Sequence, residues 1–414
     1  MKTSIIILTR NQFHLTVLCL ESIRKYTPQP YEIIVVDNGS TDLTTTYLKI
    51  QLDITLICNE DNAGFAAGCN QGLAAATGDN ILFLNNDTVV TPHWLTSMLE
   101  VLYSSPDIGM VGPLTNYSSG HQIIPVTYTD LLDLNQFAHE HAARYQGSTT
   151  EVRRLIGFCM LVRRKVLDEV GGFDELYGLG NFEDDDLCLR VAHAGYRLFI
   201  ANASFIHHVG HATMNDIKKD NVQHLMAINR HRAQEKWGAD IFDLIYKEDI
   251  RLTCCVLATS KCAATTLTLD SIKDIADEVV LIDQQGECAD VLESYVGKYV
   301  EGHSERNKIK LWKLGIEQAA GPYLLLIEAG EYISDEDRRQ LRVLKRSIKP
   351  EVAAVLMKCE YNGILNDSYQ VRLFHNSFPF PYLDDLSLHD REVLESEIEV
   401  KHVLTKTYDM GIPT

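Results

Sequence analysis

Long apolar runs are missing from this sequence of 414 residues, and the early run Ser4 to Leu8 falls far short of the roughly 20 residues a bilayer-spanning helix needs. No transmembrane segment is expected. The ten cysteines include no Cys-x-x-Cys pair and follow no regular spacing, which argues against a thiolate metal site and against a disulfide framework. The opening MKTSIIILTRN runs straight into a polar turn and does not resemble a cleaved leader. The combined expectation is a cytoplasmic protein whose reduced thiols serve mainly in packing. Basic charge is also scarce: 38 Lys and Arg stand against 57 Asp and Glu, a net charge of -19. Nucleic-acid binding needs a basic surface that displaces counterions from phosphates, so no nucleic-acid partner is expected. A smaller anion such as a nucleotide diphosphate would need local neutralisation, for which a divalent cation is better suited than a basic groove.

What is present is an ordinary globular composition, 45% hydrophobic and 23% charged, on a chain too long for one core. Runs of strand character at Ser4 to Leu8, Glu32 to Val36 and Ile81 to Asn85 alternate with helical patterns, which predicts an α/β fold with a mainly parallel sheet. Between the first two, Leu15 to Tyr26 reads as a helix with Leu15, Leu18, Cys19, Ser22 and Ile23 on one face. After Lys236-Trp237-Gly238 the series begins again at Arg251. EVVLIDQQGECAD (Glu278 to Asp290) echoes EIIVVDNGSTD (Glu32 to Asp42), and GPYLLLIEAGE (Gly321 to Glu331) echoes GDNILFLNNDT (Gly78 to Thr88). Echoes in the same order at nearly one offset indicate duplication, with domains expected at 1–240 and 250–414.

Four constellations could carry chemistry. Asp37 closes a buried-type strand and is followed by Asn-Gly-Ser-Thr-Asp; its carboxylate could accept hydrogen bonds from a nucleotide, or the segment could be a plain strand-to-helix turn capped by Ser40 or Thr41. Asn85-Asn86-Asp87 follows an apolar strand, where a hard cation bridging phosphates would need one or two carboxylates; Asp87 is the candidate ligand, and an Asx turn is the alternative. Glu183-Asp184-Asp185-Asp186 opens an amphipathic helix. The macrodipole favours acidic residues there, but four in succession exceed that need, and crowded carboxylates raise one another's pKa toward that of a general base. Lastly, LFIANASFIHHVGH delivers His207, His208 and His211, any of which could complete a cation site with Asp87.

In order, the segments SIIILTRNQ, EIIVVDNGSTD, NAGFAAGCNQG, ILFLNNDT, GFCMLVRRKVLDEVGGFDE, FEDDDLCLRVAHAGYRL and IHHVG resemble the inverting family-2 glycosyltransferases of the GT-A (nucleotide-diphospho-sugar transferase, Rossmann-like) fold. The resemblance spans about residues 1–210. It implies a UDP-sugar donor, with UDP-GlcNAc or UDP-glucose favoured, bound with Mn2+ or Mg2+. Thr9 and Asp37 then fall at the uracil and ribose, Asn85 and Asn86 beside the ribose and phosphates, and Asp87 and His207 on the metal, with His208 and His211 as rivals. Asp184 falls on the general base, with Glu183 positioning the acceptor. Asn85 stands where the family's first DXD carboxylate would be, leaving one acidic ligand. Residues Val111 to Gln122 and the stretch ending NRHRAQEKWG resemble modular bacterial enzymes such as flagellin glycosyltransferases, which implies a protein or peptide acceptor.

The second half resembles another family-2-like domain, of the kind in bacteriocin S-glycosyltransferases and lipopolysaccharide-core enzymes. Where that group has Asp-Ala-Asp-Glu, this chain has Glu328-Ala329-Gly330-Glu331, and Gly330 offers no ligand atom. The expectation is a catalytically silent domain that keeps Asp283 and His402. Polysaccharide or lipid-linked glycan synthesis is the competing enzymatic reading, and a non-catalytic sugar-nucleotide or glycan-binding protein the competing reading of another class.

Overall fold

The computed structural model describes residues 1–210, 219–259, 262–295, 297–303, 305–349, 351–361, 364–377 and 392–402. The chain divides into two compact units, Met1–Lys247 and Glu248–Thr414. The short helix Ile241–Tyr246 belongs to the first, because Ile241 and Ile245 pack with Tyr177, Phe182 and Leu189. Among the described residues no helix is long and apolar enough to cross a membrane.

The first unit is built on strands β1 (Thr3–Thr9), β2 (Tyr31–Asn38), β3 (Ile54–Asn59), β4 (Asn80–Asn85), β5 (Thr88–Val90), β6 (Ile108–Thr115), β7 (Thr149–Val152), β8 (Cys159–Arg163) and β9 (Arg197–His208). Their sheet order is β3-β2-β1-β4-β8-β6-β9-β5, with β7 paired to β9. The first four are parallel, β8 runs antiparallel to β4 and β6, and β9 runs parallel to β6. Alternation along β1 sends Ile5 and Ile7 to one face and Ile6 to the other. The first face is covered by the helices Phe13–Tyr26 and Trp94–Ser104, the second by Phe65–Ala75 and Glu183–His193. Each fully buried aliphatic side chain in these layers contributes about 1.5–3 kcal/mol. On the second face the approach is close, since a Cβ at Gly72 would lie 2.4 Å from Ile6 Cγ2.

The helix expected over Leu15 to Tyr26 begins at Phe13, and its inner face is rotated from the expected one. Thr16, Cys19, Leu20, Ser22 and Ile23 are buried, whereas Leu18 is 44% exposed. The rotation places the Thr16 hydroxyl against Thr9 and Asn86.

The second unit comprises β10 (Leu252–Ala258), β11 (Glu278–Asp283), β12 (Gly297–Glu301), β13 (Tyr323–Glu328), β14 (Glu331–Tyr332), β15 (Val352–Tyr361), β16 (Ile364–His375) and β17 (Glu392–His402). Its order, β12-β11-β10-β13-β16-β15-β17-β14, repeats that of the first unit strand for strand once β7 is set aside. Directions repeat as well, down to β17 parallel to β15 and the short β14 antiparallel to β17. Two α/β units with one topology fit a duplicated fold.

Candidate active site

The carboxyl ends of the parallel strands are level with one another. Thr9 pairs with Asp37 and Leu8 with Asn85 as the last partners of β1 with β2 and β4. In open α/β sheets this edge is where ligands bind.

On the nucleotide side, Asp37 is 1% exposed. Its Oδ1 accepts from the Ser40 amide at 3.0 Å and its Oδ2 from the Thr45 hydroxyl. The carboxylate thus builds the turn that was its alternative reading. Thr9 is equally buried, with its hydroxyl paired to Thr16 at 2.9 Å. The Asn86 amide donates to Thr9 at 3.0 Å and to Thr16 at 3.1 Å. Both Asn86 N–H groups are therefore spent inside the protein, and the Asn86 and Thr9 side chains brace the strand ends. The neighbouring Asn38, absent from the sequence reading, organises the loop beyond β3. It donates to Asn62 and to the Gly64 carbonyl and accepts from Asn59 and the Ala63 amide.

Asp87 lies between β4 and β5, 5% exposed. Because β5 pairs antiparallel with β9, Thr88 opposite His208 and Val89 opposite His207, the imidazole that reaches Asp87 is that of His208. Its Nε2 is 3.3 Å from Asp87 Oδ1. His207 is turned to the other face of β9, where its Nδ1 lies 2.6 Å from the Tyr128 hydroxyl and burial holds its pKa below the ordinary value. Of the expected ligand His207 and its rival His208, the latter is the one that stands beside Asp87. His211 lies outside the described residues. Asn85 contributes its main chain, its amide donating to the Phe158 carbonyl at 2.9 Å, while its side chain is half-buried.

The Asp87–His208 pair suits a divalent cation. His208 Nδ1 is 2.8 Å from the Tyr117 carbonyl oxygen; a carbonyl only accepts, so Nδ1 carries the proton. In neutral imidazole Nε2 is then a lone pair aimed at a carboxylate, an arrangement that a cation between them satisfies. Among the described residues no third His, Cys, Asp or Glu joins the pair. Further ligands would have to be water or substrate oxygens, the usual pattern for Mg2+ held by one or two carboxylates and a substrate phosphate.

The acidic run opens the helix Glu183–His193 directly after Asn181 and Phe182, whose φ values of 74° and 77° are left-handed. Such strain in a bulky residue marks a place where backbone comfort has been given up for geometry. The four carboxylates have different surroundings. Asp186 accepts from Arg190 Nε at 2.7 Å, Lys236 Nζ at 2.6 Å and Trp237 Nε1 at 2.9 Å, and is a structural anchor. Asp185 is held by Arg154, yet burial and the Asp184 charge outweigh that cation and raise it to about 7. Glu183 is 6% exposed, and its Oε2 has no hydrogen-bond partner; burial, then Asp184, push it well above the carboxylate range. Asp184 is oriented by the Gly157 amide on Oδ2 and the Asp185 amide on Oδ1, both at 2.9 Å.

Gly157 and Phe158 join the two halves of the site. The Gly157 amide holds Asp184, the next residue's ring stacks on His208 with centroids 5.1 Å apart at 14°, and the Phe158 carbonyl receives the Asn85 amide. Asp87, His208 and Asp184 therefore flank a single dipeptide. In the sequence this shelf shows only as a Gly-Phe pair just ahead of the strand Cys159–Arg163. A separate cavity of about 500 Å³ lies between the helices Trp94–Ser104 and Leu134–Arg144 and holds none of these residues.

A mixed sheet of this order is an α/β arrangement of the GT-A type. Residues 4–171 match the profile of glycosyl transferase family 2. Among relatives, a Mycobacterium tuberculosis N-acetylglucosaminyl-diphospho-decaprenol L-rhamnosyltransferase is 27% identical over 56% of this chain and 83% of its own. A Sinorhizobium fredii protein, y4gI, is 28% identical over 50% of this chain, which spans only 24% of that protein. Among solved structures, a Pyrobaculum calidifontis mannosyltransferase in complex with GDP-Man and Mn2+ aligns over 50% of this chain and 56% of its own, at 20% identity and a TM-score of 0.38.

Proposed function

We propose that the first unit transfers a sugar from a nucleotide diphosphate to an acceptor, with inversion, using Asp184 as general base. The observation that carries this is the shelf Gly157–Phe158, which seats the Asp87–His208 pair and Asp184 side by side. The donor is read as a UDP-sugar, UDP-GlcNAc or UDP-glucose, and the cation as Mn2+ or Mg2+ on Asp87 and His208. When bound, the cation would offset charge gathering on the departing diphosphate. Asp184, fixed by two amides, would accept the proton of the acceptor hydroxyl or thiol as that atom bonds to the anomeric carbon and the carbon–phosphate oxygen bond breaks. Glu183, whose carboxyl is pushed upward by burial and by Asp184, would help position the acceptor. The chain offers an in-line single displacement, and no side chain is assigned as nucleophile.

For the acceptor, the modular resemblance favours a protein or peptide side chain. The long match to an enzyme named for a diphospho-decaprenol acceptor favours a lipid-linked glycan, and we adopt the latter as the first candidate to test. Labelled donor offered to a lysate separates them: label extracted into organic solvent supports the lipid-linked acceptor, and protease-sensitive label the peptide. The central test is donor hydrolysis with and without Mn2+. Asp184→Asn is expected to lower turnover by about 100-fold or more while donor binding persists. Unchanged turnover in that variant would overturn the assignment of the base.

We further read the second unit as non-catalytic. Register places Ala258 where Thr9 stands and Gly330 where Asp87 stands. Gly330 has φ of 95°. His402 keeps the pairing position of His208, and Asp283 is consumed by its own turn, accepting from the amides of Gln285, Gly286 and Cys288. Asp283→Ala is expected to leave donor turnover unchanged.

A further inference from the structure

The two units fasten the loops at the ends of their first two strands by different chemistry. In the first unit the fastening is polar. The Phe13 amide donates to Asp42 Oδ2 at 3.2 Å, and the Thr41 amide to Asn11 Oδ1 at 2.7 Å. Phe13 lies four residues past the end of β1 and Asp42 five past Asp37. The same steps in the second unit, four past Ala258 and five past Asp283, land on Cys262 and Cys288.

Those sulfurs are 2.8 Å apart. That is inside the packing distance of two unbonded sulfur atoms and just beyond the S–S bond of roughly 2.05 Å. Cys288 is 1% exposed, and its amide is fixed by Asp283 Oδ2 at 2.6 Å. Cys262 opens the helix Cys262–Ile272 and is only partly buried. Of the ten cysteines, only Cys58 and Cys262 are not buried, so a reagent in solution reaches these two, and Cys262 alone of them has a second thiol beside it.

We propose that Cys262 and Cys288 are a dithiol site that closes reversibly to a disulfide, clamping the ends of β10 and β11. With a small disulfide as oxidant, the Cys262 thiolate attacks one of its sulfurs and expels a thiolate. The Cys288 sulfur, losing its proton to solvent, then displaces the second thiolate from Cys262. Two protein thiols are oxidised while one small disulfide is reduced to two thiols. Burial pushes the Cys288 thiol up to about 12, which leaves the first attack to Cys262. The polar clasp of the first unit has no such second state.

The test uses the full chain, equilibrated with dithiothreitol or with oxidised glutathione, then alkylated under native conditions and mapped by peptide mass. In the reduced protein, label is expected on Cys58 and Cys262. After oxidised glutathione, Cys262 should lose its label, a Cys262–Cys288 cross-linked peptide should appear in the non-reducing digest, and dithiothreitol should reverse both. The oxidised protein should melt higher than the reduced one, a shift absent from Cys262→Ser. That conservative variant retains a hydroxyl of similar size and keeps the proposal testable if Cys288→Ser fails to fold. Persistent labelling of Cys262, or a stable glutathione adduct there without the cross-link, would overturn the proposal.

Discussion

One position along β9 separates His207 from His208, and the face of the strand separates their chemistry. His208→Ala should weaken Mn2+ binding, measured by titration, by about tenfold or more, whereas His207→Ala removes only the contact with Tyr128 and should leave Mn2+ affinity near that of the native protein. Asp87 was legible because its carboxylate follows an apolar strand. Which of the three candidate histidines stands beside it was not, because that phase is set by pairing with a strand of three residues, Thr88–Val90, whose register has no trace in the sequence. The acidic run was legible as a cluster but not as four separate roles. Folding raises Asp185 to about 7 and Glu183 well above the carboxylate range, so the folded state binds protons that the unfolded chain releases near its ordinary carboxylate pKa. The contribution of these groups to stability is fully present below about pH 4 and is lost as pH rises through about 7. Denaturant unfolding between about pH 5 and pH 8 should show that loss, and Glu183→Gln, which cannot ionise, should reduce it. Asp186→Asn has the opposite character: it strips the charge from the Arg190 and Lys236 contacts and should cost about 3 kcal/mol at neutral pH.

At the scale of elements, strands and their parallel order were readable from apolar runs, and the helix from Phe13 was readable but turned. Leu18 faces solvent because a hydroxyl, Thr16, is wanted inside against Thr9 and Asn86; hydrophobic periodicity has no means of anticipating a buried polar contact. The segment NAGFAAG is decided by space. At Gly64, φ is 94° and a Cβ would stand 2.3 Å from the Gly178 carbonyl oxygen. Gly64→Ala therefore meets both backbone strain and a rigid atom, and should cost about 2–4 kcal/mol in urea unfolding. Gly72→Ala meets only the Ile6 side chain, and about 1–3 kcal/mol is expected.

For the whole molecule, two echoes in the sequence were enough to reveal the repeat, because strand ends in α/β folds carry recognisable turn residues. The full correspondence, eight strands in one order, was beyond reach, since the later strands pair across long sequence separations and share no motif. The first unit contains every residue of the proposed donor site, so the fragment Met1–Lys247 is expected to retain donor hydrolysis. A fragment that folds, by circular dichroism, but turns over no donor would show that the catalytic machinery is incomplete without the remainder.

Gly330 limits what the second unit can hold. With φ at 95°, its backbone is in a conformation that an aspartate there would resist, and its amide donates to the Thr268 hydroxyl at 3.0 Å. Gly330→Asp would add a carboxylate without a turn that accommodates it, so that single exchange is expected to create no cation site there.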